Sequence, residues 1–140
     1  MDHSNKLQLV NSITKNTLME TLGIKYVDVG ENFLVATMPV TSKTHQPMGL
    51  LHGGATVALA ESVGSAASHM FIDTKNYEIR GIEITANHLK SVSSGVVTAT
   101  ASILHKGKTT HLWKIEVKDE NDNLVSFCKL TNIVLPKTKK

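Results

Sequence analysis

The segment from Gly53 to about Phe71 constrains the fold more than any other part of the chain. It is rich in alanine, glycine and serine, and a helix drawn through it has apolar or small side chains on nearly every side. A helix of this kind is buried in a protein core. We therefore expect a central buried helix, in which Glu61 is the only carboxylate.

The rest of the sequence predicts one further helix and six strands. Apolar residues at helical spacing from Leu7 to Leu22, followed by Gly23, indicate an amphipathic N-terminal helix. Runs rich in Val, Ile and Thr are typical of half-buried strands, and short polar connections indicate hairpins. The predicted strands are Ile24 to Val29, Phe33 to Val40, Ile79 to His88, Gly95 to His105, Thr110 to Lys118 and Leu124 to Val134. This order predicts an α+β fold, a curved and largely antiparallel sheet wrapped around the central helix, as one domain over residues 1–140.

The composition favours a soluble globular protein, with 41% hydrophobic and 19% charged residues. The polar N-terminus is not followed by an apolar stretch of signal-peptide or membrane-span length, so we expect a cytoplasmic protein with no membrane partner. The formal net charge of +3 comes largely from the last four residues. Because no nucleic-acid-binding module is visible, we expect no nucleic-acid partner; a modest positive charge suits a small phosphorylated ligand.

The cysteine and histidine patterns do not indicate a metal site. Cys128 is the only cysteine and lies in an apolar run, which favours a buried structural thiol. His45, His69 and His111 are interpreted as structural or surface residues, because their spacing matches no ligand pattern. We therefore expect no metal.

The segment from His45 to Gly54 runs directly into the central helix and carries candidate chemistry. Gly53 and Gly54 can bring bare backbone N–H groups close to a ligand, and a helix N-terminus adds free donors and a partial positive charge. Such a site is suited to polarising a thioester carbonyl. His52, next to the glycines, is either a structural histidine or a functional one, and Gln46 alone carries little signal.

Glu61 lies eight residues after Gly53, which is roughly 12 Å along a helix. Its side chain cannot close that gap within one subunit. The two groups can meet if a second copy of the helix lies antiparallel beside the first, so we expect a homodimer with two shared sites. A glutamate on an alanine-rich helix can also be a solvated surface residue, but this helix has no wet face, which favours a functional carboxylate.

Two stretches, His45 to Ala55 and Leu59 to Ser65, together resemble the hotdog-fold acyl-CoA thioesterases of the phenylacetate-degradation type. The likeness covers nearly the whole chain and is strongest to the 1,4-dihydroxy-2-naphthoyl-CoA hydrolases and the proofreading thioesterases of enterobactin synthesis. It implies the hotdog fold and hydrolysis of an aromatic or medium-sized acyl-CoA. It also implies that coenzyme A is part of the substrate, that no separate cofactor is used, and that two dimers form a homotetramer.

The resemblance further implies roles for matching positions. Glu61 would be the nucleophile or general base, the Gly53 amide would polarise the carbonyl, and Ser65 would place the water or the carboxylate. His52 and Gln46 would line the thioester site. The implied coenzyme A contacts are Gly81, His88, Leu89, Lys90, Ser91, His105, Lys106, Gly107, Lys108, Thr109 and Thr110.

One of these segments departs from the family pattern. Relatives often have His-His-Arg-Pro where this chain has His88-Leu89-Lys90-Ser91. Lys90 keeps the positive charge but loses the bidentate fork of arginine. The lysines of both implied contact segments can equally be solubilising surface residues.

Two other classes of function stay open. A hotdog hydratase or dehydratase would use His52 as its chief acid–base group and would turn over enoyl-CoA without cleaving the thioester. A non-catalytic acyl-CoA-binding module would bind coenzyme A esters, and its behaviour would survive a Glu61→Ala change. The buried glutamate argues against the second class.

Overall fold

A computed structural model describes residues 2–138, and this part of the chain forms three helices and six strands. The helices are α1 (His3–Ser12), α2 (Leu18–Leu22) and α3 (Gly53–His69). The strands are β1 (Lys25–Val29), β2 (Phe33–Pro39), β3 (Tyr77–His88), β4 (Val96–Lys106), β5 (Thr110–Lys118) and β6 (Leu124–Pro136). The predicted central helix and all six predicted strands are confirmed to within a few residues at their ends.

The prediction of one continuous N-terminal helix was wrong, because the chain breaks between α1 and α2. Asn16 adopts a left-handed conformation with φ 62°. The hydroxyls of Thr14 and Thr17 donate to the backbone carbonyls of Asn11 and Thr14, and such local bonds compete with a helical ladder. The side chain of Asn11 also pairs with both backbone groups of Tyr26, which holds the end of α1 against β1.

The strands form one sheet in the order β1-β2-β4-β5-β6-β3, and every neighbouring pair is antiparallel. The chain leaves α3 and crosses to the far edge of the sheet, where β3 pairs with β6. Within residues 2–138, the other edge of β3 has no strand beside it. A bulge interrupts the β3–β6 register between Gly81 and Glu83, so the intervening Ile82 has no directly paired residue.

Helix α3 packs on the sheet and completes the core. Its buried apolar residues Leu59, Ala60, Val63 and Ala67 belong to the same cluster as Trp113, Ile115 and Leu130 of the sheet. At Gly64 the approach is so close that a Cβ atom would lie 2.6 Å from the Leu130 Cδ2 atom. Several of the small residues therefore serve packing within the chain. None of the helices in the described part of the chain is both long enough and apolar enough to cross a bilayer.

Candidate active site

The first turn of α3 is capped by the side chain of the residue before it. His52 is in an extended conformation, and its Nδ1 accepts a hydrogen bond of 2.8 Å from the Gly54 amide. An accepting nitrogen carries no proton, so the neutral His52 ring holds its proton on Nε2. The Gly53 amide takes part in no hydrogen bond within residues 2–138, as expected for the orphan donors of a helix N-terminus.

A cleft of about 280 Å³ opens beside this turn. It brings together predicted site residues from the loop before α3, from the start of α3 and from the end of β3 with the residues that follow it. The lining residues are Gln46, Leu50, Leu51, Gly53, Thr56, His88, Leu89, Lys90, Ser91 and Val125. Gln46 is fixed by its own loop, because its side-chain oxygen accepts from the Met48 amide and its backbone amide donates to Leu50 at 2.7 Å. Its side-chain NH₂ group remains a donor beside the helix start.

Glu61 does not line this cleft. It is half-buried two turns further along α3, and its carboxylate lies against Gly81 of the edge strand. A Cβ atom at Gly81 would lie 2.5 Å from the Glu61 Oε2 atom, so only glycine leaves room for the carboxylate in this position. No hydrogen bond or ion pair in the described part of the chain uses this carboxylate. Ser65, one turn beyond Glu61, is half-buried as well.

The structure therefore separates Gly81 from the other implied coenzyme A contacts. Gly81 faces the carboxylate of Glu61, whereas His88 to Ser91 lie at the cleft beside Gly53. Strand β3 thus links two parts of the predicted site: Gly81 lies beside Glu61, and His88, the last residue of the strand, lies at the cleft. The sequence alone could not separate these parts because both lie on the same predicted strand.

Lys90 has a partner inside the chain. Its Nζ lies 2.6 Å from the Asp119 carboxylate, which also accepts from the backbone amides of Asn121 and Asn123. These bonds, that of Lys90 above all, hold the pKa of the Asp119 carboxyl well below its usual range. A phosphate that approached Lys90 would have to compete with this fixed carboxylate.

The remaining implied contacts lie near the other end of α3. Lys106 Nζ sits 4.2 Å above the centre of the Phe71 ring, just beyond the end of the helix. The turn closes with a 2.8 Å bond from the Gly107 amide to Thr110. A second cleft of about 320 Å³ is lined by Lys108 and Thr109 together with Phe71, Ile72, Asp73, Tyr77, Val134 and Pro136. Since a helix of 17 residues is roughly 25 Å long, one chain does not unite this turn with the Gly53 cleft.

A buried polar cluster fills the space behind the end of α3. The Ser68 hydroxyl oxygen accepts from Trp113 Nε1 at 2.7 Å and from Asn132 Nδ2 at 2.7 Å. Its single proton is therefore directed to His111 Nδ1, 2.9 Å away. Burial, and to a smaller extent the charges of Lys106 and His105, lowers the pKa of His111. The interpretation of His111 as a structural histidine agrees with this geometry.

Sequence reasoning missed two buried polar residues of β6, Ser126 and Asn132. Both are fully buried, on the same face of the strand as Cys128 and Leu130. Polar residues on the apolar face of a strand were a signal that could have identified them. Cys128 is buried as predicted, and its burial raises the pKa of the thiol. Residues 2–138 contain no cluster of three or more side chains suited to holding a metal ion.

Comparisons with known proteins agree with this architecture. A sequence profile described as "Thioesterase superfamily" matches residues 48–126. The 1,4-dihydroxy-2-naphthoyl-CoA hydrolase of Escherichia coli K12 is 40% identical over 129 residues, which are 92% of this chain and 94% of that protein. The proofreading thioesterase EntH of Cronobacter turicensis is 41% identical over 130 residues, 92% and 93% of the two chains. The crystal structure of a variant of thioesterase PA1618 from Pseudomonas aeruginosa superposes with a TM-score of 0.92 at 44% identity, covering 94% of each chain.

Proposed function

The chain belongs to the thioesterase superfamily and is a thioester hydrolase, and we propose that it hydrolyses an aromatic or medium-sized acyl-CoA. In this reaction the C–S bond breaks, the oxygen of water enters the carboxylic acid, and the thiol of coenzyme A leaves with a proton. The proposal of an aromatic acyl group draws on the 40% identity to a relative named for an aryl-CoA substrate. We expect no resident metal, and dialysis against EDTA should leave the rate unchanged.

The start of α3 supplies the group that polarises the thioester carbonyl. The Gly53 amide donates no hydrogen bond within residues 2–138, lies at the positive end of the helix dipole and opens into the cleft. The side-chain NH₂ of Gln46 lines the same cleft and is a second donor for the carbonyl oxygen. His52, whose Nε2 carries the proton, holds the turn through its bond to Gly54. Together the Gly53 amide and the Gln46 NH₂ group would stabilise the negative charge that develops on the carbonyl oxygen during attack.

Glu61 supplies the carboxylate, acting as nucleophile or as general base with Ser65 placing the water. The observation that carries this assignment is the half-buried carboxylate, which has no bonding partner among residues 2–138 and lies beside a sheet edge that no described strand covers. A reacting group must come within hydrogen-bonding distance of the carbonyl, and Glu61 lies roughly 12 Å along the helix from Gly53. We therefore assign the Glu61 of each site to a second copy of the chain, packed against β3 in a homodimer. Two such dimers would form the tetramer.

The same arrangement accounts for the divided coenzyme A contacts. The segment from His88 to Ser91 lies in the Gly53 cleft, whereas the turn from His105 to Thr110 lies near the other end of α3. If two helices run antiparallel, the far end of one lies near the first turn of the other. The lysines of the partner's turn would then reach the nucleotide phosphates. Lys108 is exposed and forms no ion pair within residues 2–138, so its charge is free for this contact.

The first experiment is a hydrolysis assay on a panel of aryl-CoA and alkyl-CoA thioesters. We expect measurable free thiol for one aromatic or medium-sized group and a loss of about 10²- to 10⁴-fold in kcat for Glu61→Ala, the range of general acid–base catalysis. Turnover of an enoyl-CoA without thiol release would favour a hydratase instead. Acyl-CoA binding with no turnover in either assay would indicate a binding module.

Complementation tests the shared site. A Glu61→Ala chain and a Gly53→Pro chain should each be inactive, because proline removes the amide while remaining compatible with the first turn of a helix. After subunit exchange, a mixed dimer keeps one intact site, so activity should return. Failure to recover activity in mixtures that demonstrably exchange subunits would refute the shared site. Sedimentation of the wild type reports whether dimers or tetramers form.

A single-turnover reaction in ¹⁸O-labelled water separates the two roles of Glu61. If the carboxylate attacks the thioester, a mixed anhydride forms between Glu61 and the acyl group. Attack of labelled water on the Glu61 carbonyl of this anhydride then places the label in the Glu61 side chain. If Glu61 activates water, the label appears only in the released acid. Mass spectrometry of the peptide that contains residue 61 measures the difference.

A further inference from the structure

Ser126 lies on the buried face of β6, directly across the ladder from His88 of β3. Its Oγ lies 2.9 Å from His88 Nδ1 and donates to the Asn87 carbonyl at 3.1 Å. The Cys128 thiol also lies near this oxygen, 3.8 Å away. Ser126 itself does not line the cleft, so any influence on a ligand passes through His88.

The bonds of Ser126 determine which nitrogen of His88 carries the proton. A serine hydroxyl has one proton and two lone pairs. The Asn87 carbonyl can only accept, so both contacts are hydrogen bonds in one arrangement alone, in which Ser126 donates to Asn87 and accepts from His88 Nδ1. In this arrangement the neutral His88 ring has its proton on Nδ1, and Nε2 presents a bare lone pair.

This Nε2 edge lies against the start of α3. A Cβ atom at Gly53 would be 2.8 Å from His88 Nε2, and both residues line the cleft. The histidine that precedes the helix has the opposite arrangement, because Nδ1 of His52 accepts from Gly54 and Nε2 holds the proton. The cleft thus combines a free N–H donor at Gly53 with a neutral nitrogen acceptor at His88.

We propose that Ser126 is a positioning residue that fixes His88 as a hydrogen-bond acceptor for an amide N–H of the substrate's thiol carrier arm. This inference rests on the proposed thioester hydrolysis. The arm of coenzyme A carries amide groups close to its sulfur, so a carbonyl held at Gly53 brings an amide N–H to the same cleft. Simple alkyl thioesters lack that donor and gain nothing from His88.

The tautomer can be measured without any substrate. Long-range ¹⁵N–¹H correlation spectra of the labelled protein at pH 8 should show His88 protonated on Nδ1 and bare on Nε2, with the signal assigned by its loss in His88→Asn. In Ser126→Ala the preference should give way to a mixture of tautomers. Cys128→Ala, which alters the other neighbour on the same strand, should leave the spectrum of His88 unchanged. A wild-type spectrum with the proton of His88 on Nε2 overturns the proposal, whether or not Ser126→Ala folds.

Kinetics then test the ligand. For one acyl group, KM is compared between the N-acetylcysteamine thioester, which has an amide, and the ethanethiol ester, which has none. Ser126→Ala should raise KM for the first by about three- to tenfold, the equivalent of one net hydrogen bond, and leave kcat and the second substrate unchanged. An equal change for both esters would overturn the role of His88 as an amide acceptor. Absence of hydrolysis for every thioester would refute the proposed function, whereas the spectra would still decide the tautomer.

Discussion

Replacement of Gly81 by alanine should disturb the Glu61 carboxylate while leaving the fold intact. The added Cβ would lie 2.5 Å from Oε2, whereas ordinary contact begins at 3.4 Å. The carboxylate must therefore retreat by about 1 Å, a displacement that can cost on the order of 10²-fold in rate. Such a loss corresponds to about 2.7 kcal/mol of transition-state stabilisation.

The fold should tolerate this change for two reasons. Gly81 is not among the glycines with a positive φ, so alanine fits its backbone. The atom that must move is also the end of a flexible side chain rather than backbone. We expect kcat for the preferred acyl-CoA to fall while KM and the thermal unfolding midpoint stay close to wild type, because Gly81 does not line the cleft.

A double-mutant comparison shows whether Gly81 acts through Glu61. The Gly81→Ala change should have no further effect in a Glu61→Ala background, since the displaced group is already absent. Arg80→Ala is the matched control, because Arg80 is exposed on the same strand and bonds to Glu78. Unchanged kcat in a folded Gly81→Ala protein, or an equal loss in both backgrounds, would refute the reasoning.

Three further predictions concern stability and charge. The lowered pKa of His111 means that the unfolded chain, with its histidine near 6.5, binds more protons at mildly acidic pH. The unfolding midpoint should therefore fall as pH drops below about 6.5, and His111→Gln should flatten that dependence; an identical slope in both proteins would contradict the assignment. Ser68→Ala should lower the free energy of unfolding by about 2–4 kcal/mol, measured by denaturant titration, because it leaves the buried indole N–H of Trp113 and one N–H of the Asn132 carboxamide without an acceptor. Lys90→Met should reduce the thermal midpoint by removing the bond to Asp119, yet raise KM for acyl-CoA less than Lys108→Met does; the reverse order would restore Lys90 as a phosphate contact.

Much of the fold could be predicted from the sequence because the local patterns agree with the tertiary packing. The segment of small residues that begins at Gly53 has the pattern of a buried helix. Along the strands, buried and less buried residues alternate, as a sheet requires. The prediction of one continuous N-terminal helix was wrong because the spacing of apolar residues gives no information on the hydroxyl–backbone bonds of Thr14 and Thr17, or on the bond of Asn11 to β1.

The candidate site could be predicted only in part. Gln46, Gly53 and His88 do share one cleft, but the adjacency of Gly81 to Glu61 depends on the crossover that carries β3 to the sheet edge. Spacing along the chain does not contain that information. Likewise, the pairing of Lys90 with Asp119 joins residues 29 positions apart and follows from the way two loops meet.

The position of β3 also affects when the site can assemble during synthesis. Its only strand partner in the described chain is β6, and His88 meets Ser126 across 38 residues of sequence. A nascent chain that ends before Leu124 already contains Glu61, Gly53 and His88, yet it lacks the strand against which β3 docks. Non-local pairing of this kind forms late in folding. A ribosome-stalled or prematurely terminated product would therefore carry every proposed catalytic side chain and still lack β6, the strand that holds β3 in place beside them.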